Sequence, residues 1–146
     1  MTTIAWDGVC LAADRLSTYG NTKVFAHKIH RLGEFYGAGA GTVHEIFEVQ
    51  EWIRGGCDPE QRPTLEEGCA VLLVHVKSGR AYCAVGRRPY LARVHAKHTA
   101  IGSGSEFAMA AMDFGKSAVE AIRYASKRDV NTGLGVDSFA VKKRKK

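Results

Sequence analysis

Two short apolar runs, Thr2-Thr3-Ile4-Ala5-Trp6 and Val9-Cys10-Leu11-Ala12-Ala13, are separated only by Asp7-Gly8. Asp-Gly between such runs is a strong signal for a tight β-hairpin. No other feature restricts the chain as much, because it commits the first residues to an antiparallel sheet and decides what they face. In a two-residue turn Trp6 lies opposite Val9, and counting outward puts Asp14 opposite residue 1, beside Thr2. Asp14 ends an apolar run, so a partly buried carboxylate with a cationic partner is expected. The other reading of Asp14 is a simple loop cap.

The rest of the chain alternates strand pairs with helices. Strand patterns fall at 28–32 and 35–39, at 69–74 and 81–85, at 90–94 and 98–101, and at 136–141. Thr42-Val43-His44-Glu45 has capping-box spacing. Val43, Ile46, Phe47 and Ile53 then recur at helical intervals up to Gly55-Gly56, which predicts an amphipathic helix. Residues 55–68 carry Gly, Pro and Asp and read as a loop with one helical turn. A second helix is expected over 105–114, broken by Gly115, and a third over 118–127, opened by the capping box Ser117 to Glu120. This order suits an α+β fold of two antiparallel sheets with helices packed outside, not the βαβ alternation of a parallel sheet.

A chain of 146 residues fits one domain, expected over 1–141, with a real core. Its 45% apolar and 25% charged residues are an ordinary globular balance. No apolar run approaches the ~20 residues that span a bilayer. No charged and apolar leader pattern opens the chain, so the cytoplasm is the expected compartment. Of the four cysteines, Cys10, Cys69 and Cys83 sit in apolar runs and read as small buried hydrophobes. Neither they nor the six scattered histidines have metal-ligand spacing, so no metal site is expected. The net charge of +6 is concentrated in Lys142-Lys143-Arg144-Lys145-Lys146, a basic tail at 142–146, and the body is nearly balanced. A solvated chain end explains the tail. Contact with nucleic acid is the sharper reading, but the body lacks the basic and aromatic surface motifs that would support it.

A threonine at the first position of a chain can be its own catalytic pair. The hydroxyl attacks a carbonyl and the α-amine, with an ordinary pKa of about 7.7–8.0, takes the proton. Met1-Thr2-Thr3 is compatible with methionine removal. With Met1 retained, the Thr2 nitrogen is an amide and cannot act as a base.

The opening Thr2-Thr3-Ile4-Ala5 resembles the mature start of HslV and of active proteasome β-subunits. Ala13-Asp14, then Gly20-Asn21-Thr22 with His27-Lys28-Ile29-His30-Arg31-Leu32, resemble the family's aspartate and lysine segments. Gly37-Ala38-Gly39-Ala40-Gly41-Thr42 resembles its glycine-rich turn, and Ala100-Ile101-Gly102-Ser103-Gly104 its Gly-Ser-Gly. Arg128-Asp129-Val130-Asn131-Thr132-Gly133 is similar to the proteasomal Arg-Asp-x-x-Ser-Gly. These blocks span nearly the whole chain in the right order.

The resemblance implies a four-layer αββα sandwich and a threonine peptidase that needs no cofactor. Thr2 would be the nucleophile, with Lys28 beside its Oγ and Asp14 holding the lysine. A backbone N–H of Ala40, or alternatively Gly39, would bind the oxyanion. Ser103, Asp129 and Thr132 would support the Thr2 amine, although Ser103 to Glu106 is also a capping box. Thr18 would bind substrate backbone, and Ala38 would sit at the base of the first specificity pocket. The implied partners are a polypeptide substrate, copies of the chain in a hexameric or heptameric ring, single or stacked, and an ATPase unfoldase. Two departures stand out. Only 55–68 replaces the family's second long helix, and the C-terminal region after Val141 is cut short. A catalytically silent relative using its basic tail for assembly is the main competing reading. An amidohydrolase of the wider N-terminal-nucleophile class is another.

Overall fold

The computed structural model describes residues 2–141; Met1 and the basic tail at 142–146 lie outside them. The N-terminal hairpin joins β1 (Thr3–Trp6) to β2 (Cys10–Asp14). Its register differs from the two-residue turn expected from Asp7-Gly8: Trp6 pairs with Leu11 and Ile4 with Ala13. Asp7 is the cause. Its Oδ1 accepts the N–H groups of Val9 (2.9 Å) and Cys10 (2.8 Å), and its own N–H donates to the Cys10 carbonyl, which stabilises a longer loop. The pairing slips by two residues, so every side chain keeps its face. Asp14 therefore comes level with Thr3 instead of residue 1, and its Oδ1 accepts the Thr3 N–H at 3.0 Å.

β1 and β2 lie at the centre of a four-stranded sheet completed by β10 (Thr99–Gly102) and β11 (Val136–Ala140), in the order β10-β1-β2-β11. A five-stranded sheet runs β5 (His30–Leu32), β6 (Phe35–Ala40), β7 (Cys69–His75), β8 (Ala81–Gly86), β9 (Ala92–Arg93). Period-two alternation sorts the core into layers. Ile4, Trp6, Leu11 and Ala13 meet Ala38, Leu72, Val74 and Ala81 between the sheets. Ala5 and Ala12 face the other way, onto Ala108 and Met112 of α2 (Ser105–Asp113) and Ala121 and Ile122 of α3 (Ala118–Arg128). Val71 and Leu73 pack outward against Val49, Trp52 and Ile53 of α1 (Val43–Arg54). The result is the expected αββα sandwich, with one helix on one side, two on the other, and a single 3-10 turn (Pro59–Gln61) where relatives were expected to carry a second long helix. Sequence patterning missed a hairpin of β3 (Leu16–Tyr19) and β4 (Thr22–Phe25), because Leu16 is the sole buried residue of the two strands and no alternating buried face marks them. Cys69 is buried, but Cys10 and Cys83 are only half-buried, at strand positions near the sheet surface.

Two of the three predicted capping boxes do not form. Ser117 caps α3 with both halves of the box in place. The Thr42 hydroxyl makes no cap to α1, and among the described residues its Oγ1 is a buried oxygen without a hydrogen-bond partner. Glu45 is used elsewhere: the residue is 2% exposed, and its carboxylate accepts the N–H groups of Glu66 (2.7 Å), Glu67 (3.3 Å) and Gly68 (3.0 Å). One side chain thus ties α1 to the loop that leads into β7. At α2 the cap position belongs to Gly104, not Ser103. Glu45→Ala would leave those N–H groups unsatisfied and is expected to cost about 2–3 kcal/mol, read as a lower urea midpoint.

Candidate active site

Asp14 is fully buried, and all its acceptor capacity is taken. Oδ1 accepts the Thr3 N–H and the Lys28 ammonium (2.7 Å); Oδ2 accepts the N–H groups of Leu16 (3.2 Å) and Gly133 (3.1 Å). Lys28 stands on the segment between β4 and β5, and its side chain is 10% exposed. Its Nζ also donates to the Leu16 carbonyl (2.6 Å) and to Thr2 Oγ1 (2.8 Å). Burial pushes the Lys28 pKa down, and the hydrogen bond and charge of Asp14 offset this only in part. The arrangement puts a cation in a dry setting directly on a hydroxyl oxygen. A cation there stabilises negative charge developing on that oxygen.

A second cluster flanks the same backbone. Ser103 Oγ and Thr132 Oγ1 each donate to Asp129 Oδ2 at 2.6 Å, and the Asn131 N–H reaches Oδ1. Burial pushes the Asp129 carboxyl up, but the bonds from Ser103, Thr132 and Asn131 outweigh it and hold the pKa below its ordinary 3.8. Since Thr132 gives its proton to Asp129, the 2.6 Å contact between Thr132 Oγ1 and Thr3 Oγ1 is donated by Thr3. Thr3 Oγ1 in turn accepts the Gly104 N–H at 3.0 Å. The Ser103 N–H binds the Thr2 carbonyl at 2.8 Å. Glycines allow this approach: a Cβ at Gly102, whose φ is +98°, would overlap the Thr2 carbonyl, and one at Gly104 would overlap Thr3 Oγ1.

Thr2, Lys28, Thr18 and Gly39 line one cleft of about 360 Å³, together with Val43, Ile46 and Phe47 of α1. Val43 and Phe47 are each 57% exposed, contrary to the core positions expected from helical spacing. The inward stripe of α1 is Val49, Trp52 and Ile53, and Val43 and Phe47 lie one stripe over, on the cleft wall. Ala38 is fully buried in the core between the sheets, and its neighbour Gly39 is among the residues lining the cleft. Ala40 ends β6, paired with Ala70 of β7. Thr3 was missed, and the signal was available: a threonine inside a fully buried strand needs a hydrogen-bond partner. Burial raises the pKa of all four thiols, to about 11 for Cys69, so each stays protonated near neutrality. Among the described residues no group of three or more His, Cys, Asp or Glu is arranged to hold a metal, and no helix is long and apolar enough to cross a membrane.

No protein-family model matches the chain. Curated relatives do. Proteasome subunit beta 2 of Pyrococcus abyssi is 33% identical over 165 residues, covering 89% of this chain and 79% of that protein. Proteasome subunit beta 1 of Thermococcus kodakarensis is 33% identical over 168 residues, covering 89% and 81%. The chain belongs to the proteasome β-subunit family. Solved structures show the same fold at lower identity. Thiobacillus denitrificans BPH in complex with epoxomicin superposes with a TM-score of 0.70 at 21% identity, covering 97% of each chain. HslV from Trypanosoma brucei gives 0.65 at 19% identity, covering 97% of this chain and 99% of that one. In this proteasome-family chain the Thr2, Asp14 and Lys28 cluster is contiguous, and the Ser103, Asp129 and Thr132 cluster is joined to it through Thr3.

Removing either hydroxyl from Asp129 should let its carboxyl titrate higher. NMR titration of Ser103→Ala and Thr132→Val is expected to show an upward move in each. The lowered pKa stabilises the fold above the ordinary carboxylate value, and this is lost as pH falls through the folded value. Both variants should therefore lose less stability on acidification than the parent.

Proposed function

We propose that the chain is a threonine-type endopeptidase subunit whose nucleophile is Thr2 after removal of Met1. The observation that carries this is the 2.8 Å contact between Lys28 Nζ and Thr2 Oγ1, backed by the buried Asp14 carboxylate, at the wall of an open cleft. Thr2 Oγ attacks the carbonyl carbon of a peptide bond. Its proton passes to the free α-amine of Thr2, and the Lys28 ammonium stabilises charge developing on Oγ. The oxyanion of the tetrahedral intermediate receives a backbone N–H from the glycine-rich turn, on Ala40 or alternatively Gly39. The protonated amine then gives its proton to the leaving nitrogen, the C–N bond breaks, and an ester to Thr2 remains for water to hydrolyse. Ser103, Asp129 and Thr132 orient the Thr2–Thr3 backbone, so the amine faces the hydroxyl. Thr18 and Gly39 hold an extended polypeptide in the cleft.

The relatives carry the name proteasome subunit. The reading extends accordingly to a homo-oligomeric ring of six or seven copies, single or stacked, in the cytoplasm, fed by an ATPase unfoldase. Native mass spectrometry measures the copy number.

Chains that begin at Thr2 are expected to cleave fluorogenic peptides, and chains that keep Met1 are not. Thr2→Ala should lower kcat by about a thousandfold or more, and Lys28→Ala by about a hundredfold or more. Intact mass spectrometry reports which residue comes first. Full turnover in Thr2→Ala would overturn the assignment.

A further inference from the structure

Lys28 follows a hairpin that joins neither main sheet. β3 and β4 pair only with each other, forming a two-stranded sheet outside both main sheets. Such a hairpin is marginal by itself. The residues after it, 26–29, belong to no strand. Ala26 donates its N–H to the Arg15 carbonyl at 2.8 Å, and Ile29 packs partly into the core between the sheets. The side chains of Arg15 and His27 add a further tie between this arm and the body.

We propose that Asp137 is a positioning residue for Lys28, acting with Arg15 and His27 as a latch that holds the arm against the body. Asp137 lies on β11 opposite Ala13 of β2, one position from the Val136–Asp14 pair. Asp14 and Asp137 thus stand on neighbouring strands and receive the consecutive side chains of Lys28 and His27. Asp137 Oδ2 meets His27 Nδ1 at 2.7 Å. Its Oδ1 accepts both Nε (2.9 Å) and Nη2 (2.7 Å) of Arg15. Arg15 also stacks over the Phe25 ring, 5.5 Å from its centroid, and Phe25 meets His27 edge-on at 4.9 Å. One carboxylate therefore fastens both the end of β4 and the residue preceding Lys28. Burial would raise the Asp137 pKa, but the hydrogen bonds from Arg15 and His27 outweigh it, so Asp137 stays ionised.

The inference rests on the role given to Lys28 above. A positioned ammonium lowers the proton affinity of the neighbouring Thr2 amine, as any nearby like charge does. The test uses chains beginning at Thr2 and compares Asp137→Ala, Asp137→Asn, His27→Ala and Lys28→Ala. Expected are a kcat about tenfold lower in Asp137→Ala and His27→Ala, a smaller loss in Asp137→Asn, which keeps an acceptor oxygen, and an acid limb of kcat/KM whose apparent pKa rises by about 1. His27→Ala leaves β11 and the Arg15 pair intact, so it reports even if Asp137→Ala fails to fold. A loss of kcat with an unmoved acid limb in the folded variants would overturn the latch, because a merely structural role lowers the active fraction alone. An inactive Lys28→Ala beside unaltered Asp137 and His27 variants would also overturn it, leaving the Lys28 assignment standing. A fully active Lys28→Ala would overturn both.

Discussion

The Asp14 carboxylate is the joint on which the molecule turns. It is fully buried, yet it binds four partners from four parts of the chain: the Thr3 N–H in β1, the Leu16 N–H at the start of β3, the Gly133 N–H before β11, and the Lys28 ammonium. A buried charge is tolerable only when its oxygens are saturated in this way. Fold and site are therefore not separable here. The hydrogen bonds that let the sheet close around an ionised group are the same ones that bring a lysine to the first threonine.

Much of this was legible in the sequence, for identifiable reasons. The strand at 69–74 was readable as a continuous apolar run, because both faces are buried: Val71 and Leu73 meet α1, and Leu72 and Val74 meet the other sheet. The Ser117 to Glu120 box was readable because both side chains serve the cap that their spacing suggests. Where competition exists, local rules failed. Glu45 has capping spacing, but three N–H groups of a loop some twenty residues away claim it. Ser103 has the same spacing, and Asp129 claims it. The Asp7-Gly8 turn misled by two residues because the Asp7 side chain binds the loop it begins. Asp14 was still found, since a slip of two keeps the face.

The misassigned residues of α1 are informative. Val43 and Phe47 fit a helical period, yet the core stops at Ile46 and Val49. Their exposure on the wall of the Thr2 cleft adds apolar surface to a lining that also holds hydroxyl, lysine and histidine side chains. Gly39 lies beneath Ile46, so the helix approaches the strand closely at this point. Ala38, next to Gly39 in β6, is part of the core between the sheets.

The chain offers two threonines at its start, and the fold distinguishes them. Thr3 has already surrendered its hydroxyl proton to Thr132 and its oxygen to the Gly104 N–H, and none of its surface is exposed. A chain trimmed one residue too far would begin with a hydroxyl that is structurally occupied. It would also lose the Thr2 carbonyl that Ser103 holds. An overcut N-terminus would therefore differ from the parent in the hydrogen bonding of its first residue, and not in length alone.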